Sequence, residues 1–118
     1  MAQSQTPAEI LKSVFGHDQF RGTQAEIIER VLGEKHCLVI MLTGMGKSIC
    51  FQVPALVHAR SPQQDTEHAE HAGVSLTLVI SPLIALMKDQ VDALVSKGVD
   101  AAFVNSSLTR PQLSLIHI

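Results

Sequence analysis

The chain has 118 residues, 46% hydrophobic and 17% charged, which suits one small water-soluble domain and is too short for two. Nine lysines and arginines against eleven aspartates and glutamates give a net charge of −2, so a globally basic nucleic-acid binder is excluded and only a local basic site is allowed. Trp and Tyr are both absent, which removes most stacking platforms for single-stranded nucleic acid.

No apolar run reaches the roughly 18 residues of a membrane span. The first residues, Met1 to Pro7, are polar and lack the basic and apolar regions of a signal peptide. Cys37 and Cys50 lie in apolar stretches and read as core residues. Two cysteines make no disulfide framework and no four-ligand zinc site, so a reducing compartment, the cytosol, is predicted.

The first predicted helix starts at Thr6. Thr6 can cap it, Pro7 fits the first helical position, and Glu9 completes a capping-box spacing. Ile10, Leu11 and Val14 form its apolar face, and Gly16 ends it. After the polar bend 17–22, Thr23 starts a second helix with Ile27, Ile28, Val31 and Leu32 at helical spacing, closed by Gly33.

Residues 37–41 are continuously apolar, the pattern of a strand covered on both faces. A glycine-containing turn, 43–46, leads into a third helix near Lys47, where Pro54 predicts a kink or an early end. Residues 60–73 are polar and aperiodic, a long loop for a compact domain. His68 and His71 there, with Asp65, Glu67 and Glu70 nearby, have a spacing at which a metal site is conceivable, but the stretch reads as an ordinary solvated loop. A second buried strand is predicted at 76–80. Ser81 then caps a helix whose first residue is Pro82, with a wide apolar stripe through Leu83, Ile84, Leu86, Met87, Val91, Leu94 and Val95. Gly98 ends it, and 101–104 reads as a third strand. Strands joined through helices predict an α/β fold with a parallel sheet and right-handed crossovers.

The sharpest chemical signal is the run Met41 to Ser48, between a predicted strand and a predicted helix. A phosphate-binding loop needs that setting. Gly44 and Gly46 let Thr43, Gly44, Met45 and Gly46 turn their N–H groups toward an anion, and the helix N-terminus adds its dipole. Lys47 would reach the β and γ phosphates, and the Ser48 hydroxyl would ligate Mg²⁺. Met41 stands where the general pattern has glycine. A glycine-rich turn with a capping Lys-Ser pair is the structural alternative.

Three segments together resemble the RecQ family of superfamily 2 DNA helicases. Residues 15–24 (Phe-Gly-His-Asp-Gln-Phe-Arg-Gly-Thr-Gln) look like its motif 0. Thr43 to Ser48 with the following Ile-Cys-Phe-Gln-Val-Pro-Ala-Leu look like motif I. Residues 81–91 (Ser-Pro-Leu-Ile-Ala-Leu-Met-Lys-Asp-Gln-Val) look like motif Ia, a string that generic phosphate-loop ATPases do not carry. The segment 105–110 resembles the family's stretch just after the third strand, so the resemblance covers about residues 8–111.

The resemblance implies an ATP-dependent enzyme that translocates 3′ to 5′ on DNA in recombination and repair, with ATP and Mg²⁺ as cofactors. It implies a partial RecA-like motor domain with a parallel sheet and flanking helices, truncated after about three strands. Lys47 and Ser48 would serve catalysis. His17, Arg21 and Gln24 would form the adenine site, with Gln24 hydrogen-bonding the adenine edge. His17 stands where the family often has a stacking aromatic, and imidazole offers less area. Leu42 stands where the family usually has proline, which loosens the approach to the loop. Ser81, Pro82 and Lys88 belong to the motif associated with the DNA strand. Without motif 0 around it, Gln24 would read as a first-turn polar residue, and Lys88 with Asp89 as a solvated helix face.

No Asp-Glu-x-His string occurs in the chain to hold Mg²⁺ and orient water. Residues 1–112 are therefore expected to be the N-terminal part of the first motor domain, inactive in hydrolysis and unwinding without a second one. Residues 113–118 match the translation of a transposon-end sequencing adapter and read as a non-native tail, with a genuine apolar strand or helix end as the structural alternative. The parent's partners would be DNA single strands and duplex junctions, not a membrane. It would be cytoplasmic and nucleoid-associated in a bacterium, nuclear in a eukaryote. Two alternatives stay open: another phosphate-loop enzyme or superfamily 2 translocase, and a nucleotide-binding module without a motor.

Overall fold

The computed structural model describes residues 5–42, 46–60, 75–106 and 108–111. Thr43, Gly44, Met45, the loop with His68 and His71, and the tail 113–118 lie outside the described residues. Among those described, the main helices are α1 (Pro7–Phe15), α2 (Gln24–Leu32), α3 (Lys47–Arg60) and α4 (Ile84–Ser96). Contacts divide the chain into two units, Met1–Thr77 and Leu78–Ile118.

In the first unit, α3 packs against both α1 and α2. Its core is Ile10 and Leu11 from α1, Ile28 from α2, and Cys50, Val53 and Leu56 from α3. Burying a side chain of this size contributes roughly 1.5–3 kcal/mol, so these few residues hold the three helices together. Local signals set the helix ends. Thr6 Oγ1 accepts the Glu9 N–H at 3.2 Å, one arm of the expected box, and Pro7 opens the helix. Beyond α1, the Gly16 N–H donates to Lys12 O and the His17 N–H to Leu11 O, which fixes where the 17–22 bend begins. Arg60 Nη1 donates to Gln5 Oε1 at 2.9 Å, tying the far end of α3 to the residue before the α1 cap.

Among the described residues the expected parallel sheet is not formed. Residues 37–42, 75–80 and 101–104 have no strand structure, and the architecture among the described residues is helical. Leu38 and Ile40 are each 91% exposed, and Leu42, Leu76, Leu78 and Ile80 are also exposed. The physical reason is that a helix closes its hydrogen bonds within one segment, while a strand exists only through a ladder with another. An apolar run states a preference for burial and does not supply the partner.

Other expectations change in detail. Pro54 does not end α3 early; the helix runs on to Arg60 with Pro54 buried inside it. Thr23 precedes α2 but makes no side-chain cap bond. In the second unit, α4 starts at Ile84, not Pro82, because Ser81 Oγ accepts the Leu83 N–H at 3.4 Å and holds 81–83 in a turn. Proline at 82 also biases Ser81 away from helical backbone. The α4 stripe has no fully buried residue: Leu83, Ile84, Leu86 and Val95 are exposed, and Met87, Val91 and Leu94 half-buried. Asn105 Nδ2 approaches Met87 Sδ at 4.0 Å and brings the chain after α4 back to it. Cys37 is exposed, so only Cys50 is a core cysteine, and both thiols are free.

Candidate functional site

Gln24 is the first residue of α2 and is 4% exposed, a polar side chain in an apolar layer. Such burial is tolerated only with hydrogen bonds. Its Oε1 accepts the backbone N–H of Arg21 at 2.8 Å, and its Nε2 donates to the carbonyl of Gly46 at 3.0 Å. One carboxamide therefore joins the 17–22 bend to the residue that precedes α3, across a sequence separation of 22.

Gly46 has φ +76°, a left-handed backbone that disfavours a side chain. A Cβ there would land inside the van der Waals envelope of Gln24 Nε2. Glycine at 46 thus serves both the turn and the close approach of Gln24. From within α3, the Cys50 thiol lies 4.0 Å from the same Gly46 carbonyl, at the limit of a weak S–H contact. Burial, then the nearby Cys37 charge, pushes the Cys50 thiol above its ordinary value.

Lys47 is the first residue of α3 and is exposed; Ser48 follows it and is half-buried. The first amides of a helix have no partner within it, so this end of α3 sets backbone donors beside an exposed lysine. His17 and Arg21 are exposed on the bend whose backbone Gln24 grips. The structure thus brings Arg21, Gln24, Gly46, Lys47 and Ser48 into one neighbourhood within the first unit, with Thr43, Gly44 and Met45 outside the described residues.

Ser81, Pro82 and Lys88 belong to the second unit. Ser81 is occupied in its turn with Leu83, and Pro82 is exposed. Lys88 Nζ meets Asp92 Oδ2 at 2.6 Å, one turn along an exposed face of α4. That hydrogen bond, with the Asp92 charge, holds the Lys88 ammonium above its usual range.

The Gln24–Gly46 bond and the Cys50 approach are not visible in sequence. The only signal is spacing: Cys50 lies four residues after Gly46, one helical turn, so its side chain faces back along α3.

Residues 21–115 match the DEAD/DEAH box helicase family. The chain belongs to that family. Among curated proteins it is 44% identical over 112 residues to the ATP-dependent DNA helicase RecQ of Synechocystis sp., covering 95% of this chain and 20% of the relative. It is 48% identical over 107 residues to RecQ of Haemophilus influenzae, covering 91% and 15%. It is 39% identical over 112 residues to the human ATP-dependent DNA helicase Q4, covering 92% and 8%. The chain thus spans a fifth or less of the length of these relatives. Within the family, its likeness is to the RecQ members. Among the described residues, no helix is long and apolar enough to cross a membrane.

Proposed function

We propose that this chain holds the adenine and triphosphate side of the ATP site of a RecQ-type DNA helicase. The observation that carries the reading is the Gln24–Gly46 hydrogen bond. It sets a carboxamide suited to an adenine edge directly before Lys47 and Ser48, where a helix N-terminus suits phosphates. The relatives, which are ATP-dependent DNA helicases, support the same reading.

In this reading His17 and Arg21 flank the base and Gln24 reads its edge. The backbone of Thr43 to Gly46 wraps the phosphates, with Lys47 as their point charge. Mg²⁺ fits as a shared ion: Ser48 offers one hydroxyl oxygen at the first turn of α3, and this cation ordinarily completes its shell with water and phosphate. When bound it neutralises charge on the phosphates. Ser81, Pro82 and Lys88 contact DNA. The whole protein moves 3′ to 5′ on single strands and duplex junctions, in recombination and repair, in the compartment that holds the chromosome. Residues 1–118 alone bind nucleotide without turning it over, because water activation and a second motor domain come from elsewhere.

Titration of the chain with Mg-ATP and Mg-GTP tests this. Saturable binding that prefers ATP and is weakened at least tenfold by Lys47→Ala is the expected result. Equal binding by the Lys47→Ala variant refutes the phosphate assignment, and equal ATP and GTP affinity refutes the base assignment. Turnover above the Lys47→Ala control refutes the claim of inactivity.

A further inference from the structure

We propose that Gln24 is a positioning residue for the phosphate loop, acting on Gly46 whether or not a base is present. The proposal rests on the phosphate reading of Lys47 and Ser48 above, and it gives Gln24 a second role, beside adenine recognition, that does not depend on the base.

The orientation of one amide is decisive. Gln24 Oε1 accepts from Arg21 N–H, so the oxygen end faces the bend and the nitrogen end must face Gly46. At 4% exposure, an inverted carboxamide would set oxygen against the Gly46 carbonyl and nitrogen against the Arg21 N–H. Two like-for-like pairs in a buried place would cost far more than the bonds they replace. The donor toward Gly46 is therefore fixed before any ligand arrives.

Planarity of the next peptide carries the effect forward. The bond between Gly46 and Lys47 is trans, as are all the described peptides, so its C=O and N–H point in opposite directions. Holding the Gly46 oxygen toward Gln24 aims the Lys47 N–H away from it. That amide is the first of α3 and belongs to the set that would face a phosphate. The Cys50 thiol, 4.0 Å from the same oxygen, flanks it from the helix side. Glycine at 46, with φ +76° and no room for a Cβ against Gln24 Nε2, is the residue that allows this approach.

A base reader and a loop positioner respond differently to a ligand without a base. Inorganic tripolyphosphate with Mg²⁺ is that ligand, and Gln24→Met is the variant, similar in length and without a donor. In the full chain, Gln24→Met is expected to weaken tripolyphosphate binding about two- to tenfold, the range for one lost hydrogen bond. Helicity by circular dichroism should stay at the unaltered level. Unchanged tripolyphosphate affinity alongside weakened ATP affinity overturns the proposal and leaves Gln24 a base reader only.

A second measurement needs no variant. In the isotope-labelled chain, a scalar coupling across the hydrogen bond between Gln24 Nε2 and the Gly46 carbonyl carbon is expected before and after saturation with Mg-tripolyphosphate. Its loss on saturation overturns the proposal, because the donor has then let go when the loop is loaded. A chain that binds no tripolyphosphate overturns the phosphate reading itself, and the positioning role with it.

Discussion

Glu34 and Gly98 occupy the same slot at the ends of two helices, and only one of them is glycine. After α2, the Lys35 N–H donates to Arg30 O and the Glu34 N–H to Val31 O. After α4, the Val99 N–H donates to Leu94 O and the Gly98 N–H to Val95 O. Both are Schellman endings, and both put the slot residue at positive φ, +60° for Glu34 and +81° for Gly98. Gly33, the residue expected to close α2 in this way, sits one position early at φ −77°.

Glu34→Gly should therefore stabilise the first unit. Left-handed backbone costs an L-residue about 1–2 kcal/mol, and glycine returns about 0.5–1 of that as unfolded-chain entropy. A net gain of about 0.5–1 kcal/mol is expected in urea unfolding. Gly98→Ala should do the reverse by about 1 kcal/mol, through backbone alone, since no atom lies within 4 Å of the added Cβ. Equal midpoints for Glu34→Gly and the unaltered chain would show that Glu34 carries no strain.

Gly46→Ala should expel the Gln24 carboxamide. The new methyl meets Nε2 and also suffers the positive φ. A stability loss of about 2 kcal/mol combines backbone strain with a stranded buried amide. Mg-ATP affinity should fall at least tenfold in calorimetric titration. A variant that melts and binds like the unaltered chain would refute the contact.

The two cysteines should separate in a thiol-labelling experiment. Cys37 is exposed and should alkylate first, while Cys50 is buried and should react only on opening of the α1–α2–α3 core. The raised thiol value of Cys50 also has a sign. The folded state keeps that proton longer than the unfolded chain, so its contribution is whole below the ordinary value of 9.0 and is lost as pH climbs through the folded one. Urea midpoints of Cys50→Ala and the unaltered chain should converge between pH 8 and the more alkaline side of that window. A constant difference would remove the effect.

If Lys88 contacts DNA as proposed, Asp92→Asn should strengthen binding of DNA by the full chain at low salt. Lys88 is paired with Asp92 on an exposed face, and the asparagine removes a competitor for its ammonium. The gain is expected to be about two- to fivefold and to vanish at high salt, where surface charges are screened. Fluorescence anisotropy with a single-stranded oligonucleotide reads it, and a gain that survives high salt would contradict a charge-based cause.

The helical half of the molecule is legible in sequence because its instructions are local. Thr6, Pro7 and Glu9 specify the start of α1 within four residues, and Gly98 specifies the end of α4. Among the described residues the expected sheet is absent: 37–41 and 76–80 carry apolar composition, but pairing is a relation between distant segments that composition does not specify. At the site, the residue types around Lys47 are readable from spacing. The junction of Gln24 with Gly46 is not, since no periodic pattern encodes a bond across 22 positions.

Proline at position 54 has a mechanical consequence. It has no N–H to give the Cys50 carbonyl, so α3 lacks one rung close to its midpoint. One half of the helix begins at Lys47 beside the Gln24 bridge, and the other ends at Arg60, fastened to Gln5. The missing rung falls on the stretch that supplies Cys50, Val53 and Leu56 to the core, so there burial against α1 and α2 holds the helix where its own ladder is interrupted.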